Sequence, residues 1–404
     1  MQLNRAVKVG MACAGLLWTY PNATPAEPKE EDRHAVVAGH TQFALDLYAR
    51  FRSEDGNLFL APHSISTALA MTYAGARGDT ASQMARVLHY PPAQERLHPA
   101  LAELESDLNA AGHHSGCTLH PANALWAQQG YGFLDEFLAV VRRHYGAAFR
   151  TVDFAGDAEH ARQAINTWVA SRTEATIPEL LRESDLDPSD VLVLANAVYF
   201  HGSWASRFDP ELTHEAPFRI SPSEQTTVAM MHQTGRFPFT SGDHLDVLEM
   251  PYDGDRLSML LLLPKKVGGL PDVENLLSTE NIDRWLGLLR QQAVNVSLPR
   301  FSLGFRADLA KTLEAMGMSD AFHGRVADFS GMTGRRDLFI GAVMHQAQVE
   351  VNEEGTEATT ATAVTLKKGC PVPTFAADHP FLFLIRDRET GCILFIGRVV
   401  NPEV

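Results

Sequence analysis

Hydrophobic positions recur at helical spacing in the first half of the chain and form continuous runs in the second. Phe43, Leu45, Leu47, Tyr48 and Phe51 mark one amphipathic helix. Ile65, Ala68, Leu69, Met71 and Thr72 mark a second, behind Pro62 and Ser64 as start signals. Leu134 to Val141, then Ile165 with Trp168 and Val169, then Leu309 with Leu313 and Met316 predict three more, the last closed by Gly317 as a left-handed cap. The runs Val191 to Phe200, Met259 to Leu263, Phe381 to Ile385 and Ile393 to Val400 are apolar without alternation, as expected of strands covered on both faces. The last two flank the polar segment Arg386 to Gly391 and read as a buried C-terminal hairpin. Helices early and strands late predict an α+β fold rather than regular βαβ alternation.

The 404 residues include 34 Lys and Arg against 49 Asp and Glu, a formal charge of −15. The basic residues are scattered, so no nucleic-acid partner is expected. No apolar run reaches the roughly 18 residues that span a bilayer, so no membrane partner is expected either. Between residues 36 and 404 there is no repeat, linker or charge block, and one domain over residues 31–404 is predicted. The first 30 residues differ. Arg5 and Lys8 precede an apolar stretch from Val9 to Trp18, then Ala23, Pro25 and Ala26, the order of a secretory signal. Residues 1–30 therefore read as a signal peptide and flexible segment of a secreted or periplasmic protein; the alternative, a disordered tail, leaves the protein cytoplasmic. Cys13, Cys117, Cys370 and Cys392 stand at long, irregular spacings and make no disulfide framework or paired CxxC site.

Chemistry-bearing motifs are few. The chain has no GxSxG elbow, GxxxxGK[ST] phosphate loop, HExxH or strand-borne GxGxxG, so neither an enzyme nor a cofactor is expected. His113, His114, Cys117 and His120 are metal-ligand types at close spacing, but lie in a Gly/Ser-containing stretch that reads as a solvated loop, and no metal is expected. Arg77, Gly78 and Asp79 spell an adhesion tripeptide; a Gly-centred turn with Asp79 and Thr80 capping the next helix accounts for them.

The informative segment runs from Glu353 to Leu366. After Gly355 it holds no Gly or Pro and is mostly small or β-branched, so it is competent to form a strand throughout. Thr356, Ala358, Thr360, Thr362, Val364 and Leu366 share one face and carry no charge, whereas Glu357, Thr359, Ala361, Ala363, Thr365 and Lys367 share the other. Lys367 to Thr374 is loop-like, with Gly369, Pro371 and Pro373. A strand-competent segment beside a cleavable loop fits insertion into a sheet after cutting, and equally an ordinary edge strand leading to a turn.

This segment resembles the hinge and reactive loop of the serpins, and the resemblance extends from about Val36 to Pro402. Asn57, Leu58, Phe59 and Pro62 to Leu69 resemble the family's strand-to-helix entry. Asn196, Ala197, Val198, Tyr199, Phe200, Gly202 and Trp204 match N-A-x-Y-F-x-G-x-W, the central strand and "breach". Ala327 to Gly331 resemble the A-D-[LF]-S-G turn, and His345 falls where the family keeps its "shutter" histidine. Ala61 and Ser64 align with two shutter serines, so one hydroxyl is missing, a change worth roughly 0.5 to 1.5 kcal/mol.

The resemblance implies a fold of about nine helices on three β-sheets with an exposed reactive-centre loop, here about residues 353–378. It implies a suicide-substrate inhibitor of serine or papain-like cysteine proteases, monomeric, that traps the acyl-enzyme by inserting its cleaved loop; the alternative is a non-inhibitory binding or chaperone module. The hinge is Glu353, Glu354, Gly355, Thr356, Glu357, Ala358, Thr359, Thr360, Ala361 and Thr362, and the shutter and breach residues are Ser64, Asn196, Trp204 and His345. Counting as the family counts places the scissile bond at Gly369-Cys370; a register shorter by one cuts after Lys368, which favours a trypsin-like target over an elastase-like or papain-like one. Cys370 beside the bond has a passive reading and a redox one. Gln94 to Ala110 carries Arg96 among Glu95, Glu103, Glu105 and Asp107, so no sulfated polysaccharide cofactor is expected.

Overall fold

A computed structural model describes residues 29–354 and 371–403, except 92, 115 and 147. Nine helices of seven residues or more run in chain order: α1 (Glu30–Phe51), α2 (Pro62–Tyr73), α3 (Gly78–Val87), α4 (Gln94–His114), α5 (Asp135–Tyr145), α6 (Ala158–Arg172), α7 (Leu270–Leu276), α8 (Thr279–Leu288) and α9 (Ala310–Met316). A four-residue turn, α10 (Ser330–Thr333), makes ten among the described residues. Pro62 sits in the first turn of α2, where its missing N–H costs nothing, and all twelve residues of that helix are buried. Gly317 closes α9 at φ +113°, the left-handed conformation that favours glycine. Among the described residues, no helix is long and apolar enough to cross a membrane.

The strands are β1 (Leu58–Leu60), β2 (Cys117–Gln128), β3 (Phe149–Val152), β4 (Leu192–Gly202), β5 (His214–Ser221), β6 (Glu224–Ser241), β7 (Leu245–Pro251), β8 (Leu257–Pro264), β9 (Arg290–Pro299), β10 (Phe301–Asp308), β11 (Ala342–Val351), β12 (Thr374–Ala376), β13 (Phe381–Asp387) and β14 (Ile393–Val399). Five form one sheet in the order β10-β11-β4-β2-β3. The other nine are linked through the 18-residue β6, which joins a small sheet with β5, β9 and β12 to a second one running β7-β8-β13-β14-β1. The architecture is α+β, as the order of helical and strand patterns predicts. The C-terminal hairpin is present as β13 paired antiparallel with β14, buried along almost its whole length.

The five-stranded sheet is apolar on both faces for a reason visible in its neighbours. Leu192, Leu194, Val198 and Phe200 of β4, with Val343, Ala347, Val349 and Val351 of β11, join the main core over α2. Val193, Ala195 and Ala197, with Ala342 and Met344, pack on the opposite side against Ala161, Ile165 and Val169 of α6. Beyond α6 that outer face becomes partly wet, with Tyr199, His201, Gln346 and Gln348 half-buried and Glu350 exposed.

Two local expectations are corrected. The stretch around His113, His114, Cys117 and His120 is not a solvated loop: α4 runs to His114, β2 starts at Cys117, and Cys117 is buried opposite Gly202. The Arg77-Gly78-Asp79 turn has no Asp79 or Thr80 side-chain cap. Thr80 instead accepts the Asp328 N–H at 2.9 Å, and the Arg77 guanidinium donates to the carbonyls of Ala74 and Ala76, so tertiary partners outcompete local capping.

Candidate functional site

The parallel neighbours β4 and β11 run in nine-residue register from Ala342 opposite Val193 to Glu350 opposite His201. Asn196 and His345 share a rung and point into the main core, both buried. His345 Nδ1 lies 2.5 Å from Asn196 Oδ1, an acceptor, so the ring carries its proton on Nδ1. Its Nε2 then accepts from the Ala61 N–H at 3.5 Å, a long contact from backbone. Asn196 Nδ2 donates to Ser64 Oγ at 2.8 Å and to Asn123 Oδ1 at 2.5 Å, and Ser64 Oγ donates to Asn123 Oδ1 at 3.0 Å. Burial with no charged neighbour pushes His345 down to about 3, so the ring is neutral.

At the far end of the same two strands, Trp204 Nε1 donates to the Asn352 carbonyl at 3.0 Å, and its ring stacks on Tyr252 at 4.7 Å between centroids. Beside it Glu353 is 3% exposed and fully engaged. Arg300 grips its two oxygens at 2.6 and 2.7 Å, and Thr213 Oγ1 donates at 2.5 Å. Burial alone would raise this carboxyl, but the hydrogen bonds from Arg300 and Thr213 outweigh it and hold the group below its ordinary value. Glu354 is exposed, its N–H donating to Asn352 Oδ1 at 2.9 Å. The chain is thus anchored at Glu353, the first residue of the expected hinge, and it is anchored again where β12 pairs with β9.

The structure brings Ser64, Asn196 and His345 into one cluster, and places Trp204 with Glu353 at the end of the sheet. The expected hinge residues Gly355, Thr356, Glu357, Ala358, Thr359, Thr360, Ala361 and Thr362, with the expected scissile-bond residues Lys368, Gly369 and Cys370, lie outside the described residues. Asn123, Thr213 and Arg300 were not legible in the sequence. Each is an ordinary polar residue whose role comes from a partner 53 to 140 positions away. What the arrangement can do is mechanical rather than catalytic: it holds two parallel strands together with a polar latch and fixes the segment that follows them.

The family model described as serpin (serine protease inhibitor) matches residues 38–402. The pig (Sus scrofa) protein named leukocyte elastase inhibitor is 44% identical over 379 residues, covering 91% of this chain and 99% of that one. A serpin-like protein of Thermococcus kodakarensis is 42% identical over 380 residues, covering 93% and 88%. Among solved structures, uncleaved ovalbumin superimposes with a TM-score of 0.83 at 31% identity, covering 91% of this chain and 100% of that one. Maspin does so with a TM-score of 0.85 at 26% identity, covering 92% and 100%. Fold and comparisons agree: the chain has the serpin fold and belongs to the serpin family, a family of serine protease inhibitors rather than of enzymes.

Proposed function

We propose that the chain inhibits its protease as a suicide substrate, by inserting the cleaved loop between β4 and β11. The observation that carries this reading is the pairing of those two strands as parallel neighbours. A segment that leaves β11, turns at Gly355 and runs back between them is antiparallel to both. One parallel ladder is then replaced by two antiparallel ones, the slightly stronger arrangement. The side-chain pattern supports the same geometry. Thr356, Ala358, Thr360, Thr362, Val364 and Leu366 would face the main core without burying a charge, while Glu357 would face the wet end of the outer surface near Glu350. Cleavage leaves the protease nucleophile acylated by the new C-terminus of the loop, and insertion carries that acyl-enzyme away before water reaches it.

The relatives named leukocyte elastase inhibitor favour an elastase-like target over the trypsin-like one that Lys368 points to. Cleavage at Gly369-Cys370 fits a shallow pocket that takes a small residue. Residues 1–30 as a secretion signal ahead of an inhibitory domain over residues 31–404 belong to the same proposal. An exported chain beginning near residue 30 supports export, and one retaining its first residues places the protein in the cytoplasm.

The test is incubation with an elastase, a trypsin and a papain-like protease, followed by denaturing gels and mass analysis of the released peptide. The reading predicts a denaturant-stable band at the summed mass with elastase and a peptide beginning at Cys370. A peptide beginning at Gly369 with a trypsin adduct would restore the Lys368 register. Clean cleavage by all three without an adduct would make the protein a non-inhibitory module.

A further inference from the structure

His40 of α1, His63 of α2 and Cys392, just before β14, meet in the core although they are far apart in sequence. His63 Nδ1 lies 2.9 Å from His40 Nδ1 and 3.7 Å from Cys392 Sγ, and the three ligand-type atoms all fall within 4.8 Å of one another. Tetrahedral zinc with ordinary bond lengths needs separations of about 3.3 Å between two nitrogens and about 3.6 Å between nitrogen and sulfur; the His40–His63 and His63–Cys392 pairs stand close to those values, and the third separation, within 4.8 Å, closes with a side-chain shift of about 1 Å. The other nitrogen of His63 is 2.8 Å from Glu105 Oε1, and Thr67 donates to the same oxygen at 2.9 Å. A carboxylate behind a ligating imidazole fixes its tautomer and raises its basicity. His40 Nε2 is buried without a hydrogen-bond partner among the described residues. An apolar core has little use for two imidazoles facing each other and a thiol.

We propose that His40, His63 and Cys392 form a buried site for a zinc-type divalent cation, with Glu105 as the residue that orients His63. Two metal–nitrogen bonds and one metal–sulfur bond form, and the Cys392 S–H bond breaks, its proton leaving for solvent. His63 keeps its proton on Nε2, toward Glu105, and His40 presents Nδ1 to the metal with its proton on Nε2. Glu105 and Thr67 line a cleft of about 490 Å³, so the residue behind His63 stands between the cluster and that cleft. A filled site ties α1 and α2 to β14. It also fixes the residue next to Ser64, which makes two of the hydrogen bonds of the latch under β4.

The experiment uses the full chain and Co²⁺ alone, added both to native protein and during refolding, with unbound metal removed. The proposal predicts one Co²⁺ per chain, d–d bands of a tetrahedral ion, a thiolate-to-cobalt charge-transfer band, one proton released per ion, and a melting temperature that falls on chelation. Cys392→Ser, a one-atom change, should lose the charge-transfer band while keeping the wild-type far-ultraviolet circular dichroism, although Cys13, Cys117 and Cys370 remain. Glu105→Gln should weaken binding by roughly tenfold or more. Absence of stoichiometric uptake by the wild type under both loading conditions would overturn the proposal, as would a charge-transfer band that survives Cys392→Ser.

Discussion

Asn196 and His345 sit on the same rung of the β4–β11 pairing, and His345 Nδ1–H donates to Asn196 Oδ1 at 2.5 Å. The contact crosses the line along which the sheet must part if a loop is to enter. Opening the sheet breaks it, and both groups are buried, so each then needs another partner.

Asn196→Ala removes the acceptor of His345 and the donor to Ser64 and Asn123 at once. The expected loss is about 1–3 kcal/mol in the intact protein, read by denaturant unfolding. A midpoint equal to that of the wild type would mean that the latch contributes nothing to the closed sheet.

The pH response follows from the neutral ring of His345. Its folded value of about 3 lies below the ordinary histidine value near 6.5. Between those limits the unfolded chain binds a proton that the native state refuses. Stability is therefore full above about 6.5 and falls as pH drops, by up to about 1.4 kcal/mol per unit for this group. His40 and His98, also lowered by burial, add in the same direction. His345→Gln should flatten the slope by one proton, and an unchanged slope would show the ring charged in the native protein.

Arg300→Ala leaves the buried Glu353 carboxylate with the Thr213 hydroxyl but without its cation. Stability should drop by roughly 1–3 kcal/mol near neutral pH. The deficit should shrink as pH falls through the ordinary carboxylate range, because the neutral acid no longer needs Arg300. Urea unfolding of variant and wild type across that range checks both the size and the sign.

Thr356→Arg places a charge at the first position of the uncharged hinge face. Burial of that charge should stall insertion, so the variant is cleaved at the wild-type rate but yields cleaved chain instead of adduct. Equal partitioning to adduct in variant and wild type would mean that Thr356 does not enter the core.

Local patterns carried most of the fold. The run from Val191 to Phe200 is continuous because α6 covers one face of β4 and the main core the other, and the polar stretch before Ile393 marks the turn of the last hairpin. The sequence misled where a nearby signal lost to a distant one. Thr80 looks like a local cap but accepts from Asp328, and the residues from His113 to His120 look like a loop because α4 gives way to β2 with almost no connection. Of the site, Ser64, Asn196, Trp204 and His345 were legible through a family motif. Asn123, Thr213 and Arg300 were not, nor was the meeting of His40, His63 and Cys392, since only the folded topology brings them together.

The central claim is that β4 and β11 must separate for inhibition. Tyr199 and Gln348 are register partners on the half-buried outer face, at a strand spacing of about 4.8 Å that suits a disulfide. The measurement is the yield of denaturant-stable adduct with an elastase for Tyr199→Cys/Gln348→Cys, oxidised and then reduced. The account predicts cleavage without adduct in the oxidised form and adduct restored on reduction. Equal adduct in both forms would contradict insertion between these strands.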